Sequence, residues 1–365
     1  MGPVFDAGTG ARLVASYEGN PAAWSYDQGL AVIALLAAGE RDSAEAILSG
    51  LERVQSPNGE WVFAYYTRTG DPATFEFYSG TQAWVLLGFL AHWETTGSER
   101  FRPAFEKGLS VLRRMTDDDE RSPTFGAVGF GGERAGTFST EHNADARAVW
   151  NRLALLTRSA ESSAASERVV RFFRRQLWSC GESKSCTNAF FRVGFRDFDF
   201  YLDAQTWTTL SLHSALRENV DFEAAVDLAY ERLLVRDGVS GGASGIQGIC
   251  ERMPNEGYVW SEGTEGMVAA LKVLGGADRI GRAERLHAET CRYQSETGGI
   301  PYATRNTNGK SESPSIAGTA WFLFNELGIN PFAPLRPPIP SVHAVPRDRD
   351  RPSPTAPRTK ASPRE

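Results

Sequence analysis

Apolar residues along the chain fall into two alternating kinds of segment. Six segments are apolar around most of a helical circumference and open on an aromatic or small polar residue beside an acid or amide. They are WSYDQGLAVIALLAAG from Trp24, FYSGTQAWVLLGFLAHW from Phe77, STEHNADARAVWNRLALL from Ser139, FYLDAQTWTTLSL from Phe200, WSEGTEGMVAALKVLG from Trp260 and SPSIAGTAWFLFNELG from Ser313. Between them run segments with a single apolar stripe. Ala44, Ile47, Leu48, Leu51 and Val54 recur at helical spacing, as do Phe222, Ala225, Val226, Ala229 and Leu233; Val169, Val170, Phe173 and Leu177 follow it more loosely. A helix apolar all round belongs inside a protein and a one-sided helix on its rim. The repeat of about 60 residues therefore predicts an all-α fold, an (α/α)6 toroid of six inner helices alternating with five outer ones and lacking the last outer helix. That partner comes from residues 1–23 or is absent.

The links differ in length. Inner-to-outer connections such as Ala38-Gly39-Glu40 are short, whereas residues 56–76, 116–138, 179–199 and 237–259 form long links that all feed the starts of inner helices. Long loops gathered at one end of a rigid scaffold are where a site is usually built. Asp42 with Glu45, Ser25 with Gln28 and Ser79 with Gln82 read as capping boxes. The chain divides into an N-terminal extension (1–23), a toroid of catalytic type (24–330) and a tail (331–365).

Charge sharpens that division. The 365 residues carry a net −6, but residues 331–365 hold ten of the 19 prolines, seven Arg or Lys and three Asp or Glu, a net +4 that leaves −10 on residues 1–330. The tail reads as disordered. An acidic body disfavours nucleic-acid binding, which needs clustered cations to neutralise phosphates. The longest apolar run, Leu30 to Gly39, is half the roughly 20 residues of a membrane helix. MGPVFDAGTG lacks a basic segment followed by an apolar one, so the chain as written reads as cytoplasmic, or as exported if a leader precedes it. Cys180 and Cys186 bracket GESKS and suit a disulfide as well as they suit free thiols; Cys250 and Cys291 complete the set. No C-x-x-C pair or companion His spacing suggests zinc, and neither metal nor cofactor is expected. The oligomeric state is left open.

Acids cluster at the inner helix starts: Asp27, Glu76, Glu141, Asp145, Asp199, Asp203, Glu262 and Glu265. Each alone would serve a helix start by countering the macrodipole; it is their convergence that suggests a site. Glycosidic cleavage needs one protonated carboxyl for the leaving oxygen and one ionised carboxyl for water or the sugar. Trp24, Trp61, Tyr78, Tyr201 and Trp260 fall on the same end, where they would stack on sugar rings. Glu141 and Asp145 lie on one helical face and are the first candidates for the second carboxylate, followed by Asp203 and Asp27. His142 stands beside them without an obvious third metal ligand.

In architecture, residues 20–330 resemble the six-hairpin glycosidase superfamily, bacterial α/α toroids whose funnel holds the active site. SEGTEGM, Ser261 to Met267, resembles the Ser-Glu-Gly…Gly-Met motif around the proton donor of family-eight endoglucanases, with a spacing one residue shorter and a place on the fifth inner helix. That resemblance implies Glu262 as the acid, and burial between Trp260 and Met267 would raise its pKa accordingly. QSPNGEW, Gln55 to Trp61, fits the Q-x-x-x-G-x-W motif of terpenoid cyclases and prenyltransferases, echoed in QSETGGI from Gln294. Their D-D-x-x-D chemistry is missing, because Arg121 follows Asp117-Asp118-Asp119-Glu120. The expectation is a carbohydrate-active enzyme, most simply an inverting glycoside hydrolase with a polysaccharide or oligosaccharide substrate, a lyase or epimerase being a close relative. The alternatives are a non-catalytic glycan- or protein-binding toroid and a terpenoid-cyclase-like toroid.

Overall fold

A computed structural model of the chain describes residues 4–6, 10–131, 136–237, 245–254, 257–307 and 309–335. Six helices form an inner ring: α1 (Ser25–Ala37), α3 (Ser79–Thr96), α5 (Thr140–Thr157), α7 (Leu202–Leu216), α9 (Ser261–Leu274) and α11 (Ile316–Glu326). Five lie outside: α2 (Arg41–Val54), α4 (Arg102–Met115), α6 (Ala160–Phe172, continued by a π turn, Phe173–Leu177), α8 (Phe222–Leu233) and α10 (Ala277–Arg292). Each inner helix packs on the next and α11 closes back on α1. The fold is the (α/α)6 toroid expected, and the twelfth helix is absent among the described residues. In its stead residues 10–24 carry short strands, of which Ala22–Trp24 pairs antiparallel with Ala64–Tyr66. Leu13 is buried there, and the Arg12 carbonyl lies so near α2 that a Cβ on Gly50 would come within 2.1 Å of it. No helix is long and apolar enough to cross a membrane among the described residues.

The start of each inner helix is tied to its incoming loop by one recurring device. The fourth helical residue is Gln28, Gln82, Asn143, Gln205, Thr264 and Thr319 in turn. The Gln205 amide accepts from the Phe191 N–H (2.8 Å) and donates to the Phe191 carbonyl (2.7 Å). Gln28 does the same for Val14, Gln82 for Trp61 and Asn143 for Val128. Thr264 and Thr319 accept from Ile249 and Ile300. The expected capping boxes are corrected accordingly: Gln28 and Gln82 reach back across the chain to a buried loop, Ser25 donates to the Val62 carbonyl, and Glu40, not Asp42, precedes α2. A buried loop backbone needs such partners, because an unpaired N–H or C=O inside is costly.

The Q-x-x-x-G-x-W segment is a joint between helices. Gln55 donates to the carbonyls of Gly59 and Ala104, and the Trp61 indole donates to the Leu51 carbonyl. At the end of the ring away from the inner-helix starts, residues 331–335 fold back into the protein, so the toroid extends five residues past the expected boundary at 330. Phe332 is buried against Trp84, Trp207 and Trp321, with centroids 5.2, 5.9 and 6.3 Å away. The buried pair Arg152–Glu94 pins this segment, Arg152 donating to the Pro331 carbonyl and Glu94 accepting from the Leu335 N–H. Cys180 and Cys186 form a disulfide, while Cys250 and Cys291 are free. The rest of the tail expected to be disordered, residues 336–365, lies outside the described residues.

Candidate active site

Counting from the first residue of each inner helix makes the site legible. The second residues of α1, α3, α5, α7 and α9 are Tyr26, Gly80, Glu141, Asp203 and Glu262, and all five line one cavity of about 320 Å³ at the inner-helix starts. One turn deeper come Trp84, Asp145 and Trp207, which form its floor. The loops add Trp24, Tyr78, Trp260, Tyr302 and Glu251 to the wall. Gly80 is small for a reason: a Cβ there would sit 2.6 Å from the His142 ring. That ring stacks on Phe130 (4.1 Å) and its Nδ1 is 3.0 Å from the Ser79 hydroxyl.

Four of the five candidate acids thus meet in one place. Glu262 is 3% exposed and accepts a short hydrogen bond from the Tyr26 hydroxyl, which itself accepts from the Trp321 indole. Burial raises its pKa to about 7, against the Tyr26 bond and the nearby Lys310, which favour the ionised form. Asp203 is raised to about 6 by burial and by Glu251, with the Ala204 N–H and Lys310 opposing. Glu141 faces Asp203 within hydrogen-bond reach, and burial followed by the Asp203 charge pushes Glu141 well above the usual range. Asp145 is raised likewise, by burial first and Asp203 second. Two carboxyls so close titrate as a pair.

Asp27 is the exception. It is buried behind the wall near Ser16 and does not line the cavity, though it acts electrostatically on Glu262's neighbours Tyr17 and Tyr26. Among the aromatics, Trp24, Tyr78 and Trp260 line the cavity. Trp61 does not: it is fully buried in the helical core against Phe89. Tyr201 stands outside the lining and accepts a hydrogen bond from Arg252 (2.6 Å). Of the other helix-start acids, Glu265 turns away to pair with His287 (2.8 Å), and Glu76 and Asp199 are exposed.

Sequence reasoning missed Lys310, Glu251, Tyr302 and the indole floor. Lys310 lies 3.0 Å from Glu251 and within 4.7 and 5.1 Å of the Trp260 and Tyr302 ring centroids, a half-buried cation beside the wall of the acidic cavity. Nothing local marks it, because its carboxylate partner Glu251 comes from a different loop. Trp84 and Trp207 had a signal, since each falls four residues after a cavity-facing position.

The cavity also holds polar groups that the protein leaves unanswered. Neither oxygen of Asp145 has a hydrogen-bond partner among the described residues, and neither do the indole N–H groups of Trp84, Trp207 and Trp260. Trp84 lies near enough to Asp145 to favour its ionisation but is not aligned to donate. Buried polar atoms without partners are rare in folded proteins, and here five belong to residues that line one cavity.

The toroid defines a class of architecture, and solved structures similar to it include carbohydrate enzymes. A glycosidase variant in complex with glucose superposes with a TM-score of 0.63 at 13% identity, covering 89% of this chain and 93% of that one. Cellobiose 2-epimerase from Bacillus thermoamylovorans gives 0.64 at 11% identity (89% and 94%), and a D-mannose isomerase 0.62 at 12% (89% and 94%). The chain has the fold of the six-hairpin glycosidase superfamily, and at these identities the likeness speaks for fold alone. No protein-family profile matches the chain, and no curated protein sequence does.

Proposed function

We propose that the protein is a carbohydrate-active enzyme, a glycoside hydrolase in which Glu262 is the general acid and Asp203 the general base. What supports this is the separation of two carboxyls by environment at matching positions of α9 and α7. Glu262 is raised chiefly by burial and lies under the Tyr26 hydroxyl, whereas Asp203, also raised by burial, accepts from the Ala204 N–H beside Glu251. A carboxyl kept neutral by burial suits the acid, and one that a backbone N–H holds suits the base. Asp203 takes a proton from the water that attacks the anomeric carbon, while Glu262 gives its proton to the departing glycosidic oxygen. The Tyr26–Trp321 relay holds the Glu262 carboxyl in place.

Glu141 and Asp145 are weaker candidates for the base, because burial and then the Asp203 charge raise each of them well above the usual carboxylate range. Asp145 and the three indole N–H groups are instead suited to sugar hydroxyls, each of which donates and accepts. Trp24, Tyr78 and Trp260 offer ring faces. A cavity of about 320 Å³ suits the end of a short oligosaccharide. The test is product analysis on a panel of oligosaccharides with parent, Glu262→Gln and Asp203→Asn. Release of new reducing ends that both substitutions suppress by about 10²–10⁴ supports the reading; an isomerised sugar without cleavage replaces it with an epimerase, and indifference to both substitutions ends it.

A further inference from the structure

A concavity larger than the carboxyl-lined one lies elsewhere in the ring. A cleft of about 700 Å³ lies between α5, α6 and the last turn of α7. Its residues begin two positions beyond Asp145 on α5 and run toward that helix's C-terminus, away from the candidate active site. Its character is the reverse of that site's: Arg147, Arg158 and Arg171 face it against a single carboxylate, Glu167.

Arg147 is the anomaly. The residue is only 7% exposed, and its guanidinium makes one hydrogen bond, to the Ser211 carbonyl on α7. Its Nε is buried with no partner among the described residues. Burial lowers its pKa to about 10, and it makes no ion pair among the described residues. A buried charge without a counter-ion is strongly disfavoured, and proteins pair such groups. Arg158 and Arg171, both exposed, make no ion pair among the described residues either. The N-terminus of α6, with Ser159 and Ser163, borders the same cleft and adds hydroxyl donors and the positive end of a 13-residue helix.

We propose that this cleft binds a phosphate dianion, free or carried on a small molecule, with the buried Arg147 guanidinium as its counter-ion and Arg158 and Arg171 as the outer clamp. Three guanidinium groups against one carboxylate leave a local charge of about +2, which matches a dianion, and planar guanidinium forks suit phosphate oxygens. Ala154, Leu155 and Val170 give the cleft an apolar side that an inorganic ion would not use. The site is independent of the carboxyl-lined cavity and of any reaction there.

Calorimetric titration of the full chain with inorganic phosphate and with a hexose phosphate, against chloride at matched ionic strength, tests this. Saturable binding is expected in the parent, at least tenfold weaker in the doubly substituted Arg158→Ser, Arg171→Ser protein, whose changes are at exposed positions, and lost in Arg147→Gln. An ester that binds at least tenfold tighter than phosphate identifies a phosphorylated small molecule as the ligand; equal affinity identifies the free ion. Absence of saturable binding by both probes, or affinities unchanged in the double variant, overturns the proposal even where Arg147→Gln fails to fold.

Discussion

Replacing Glu262 by Gln removes an ionisable group while leaving an oxygen for the Tyr26 hydroxyl to donate to, and this isolates the energetics of the buried acid. In the unfolded chain the carboxyl ionises near 4.5; in the fold burial holds it at about 7. At about 1.4 kcal/mol per tenfold change in proton affinity, the ionised form is disfavoured in the fold by about 3 kcal/mol. The sign follows from which state keeps the proton. Below pH 4.5 both states are protonated and the group is neutral in its effect. Between 4.5 and 7 the unfolded chain releases its proton while the fold retains it, so stability falls as pH rises. Above 7 both are ionised and the full penalty stands. Urea denaturation of parent and Glu262→Gln at intervals from pH 4.5 to 8 should therefore show the variant gaining on the parent by about 3 kcal/mol across the range. Parallel curves, with a difference constant to within about 0.5 kcal/mol, would refute a desolvated Glu262 and with it the reason for naming it the acid.

Two further outcomes follow from the same structure. The dependence of kcat/KM on pH should be a narrow bell, its acid limb near 6 belonging to the Asp203–Glu141 pair and its alkaline limb near 7 to Glu262; Glu262→Gln should abolish the alkaline limb, and a limb that survives assigns it elsewhere. Gln205→Leu leaves the buried Phe191 N–H and C=O without partners, and at about 1–3 kcal/mol for each thermal or urea unfolding should report a loss of about 2–6 kcal/mol, against about zero if the loop finds other partners.

The ring was legible in the sequence because inner helices such as α3 are apolar on every side, a pattern that leaves no rim position for them. Glu262, Asp203, Glu141 and Asp145 were legible as a cluster because every inner helix starts at the same end. Their order was not: the proposed ranking of Asp203 above Asp145 as base rests on Glu141, Glu251 and Lys310, which are neighbours in space and not in sequence. Gln28 and Gln82 were misread because a capping box and a loop clamp look alike locally, and the clamp's partner is 14 or 21 residues away. Trp61 was placed with the sugar-facing aromatics because it lies near them in sequence, whereas its indole donates back into α2. Phe332 escaped notice among prolines that resemble a linker, although three tryptophans cover it.

The assignment of acid and base is tested most directly by varying the leaving group. An aryl glycoside with a highly acidic phenol departs without protonation, while a natural oligosaccharide does not. If Glu262 is the acid, Glu262→Gln should lose about 10²–10⁴ in kcat/KM on the oligosaccharide and little on the aryl glycoside, whereas Asp203→Asn should lose comparably on both. Equal losses for Glu262→Gln on the two substrates would contradict the account.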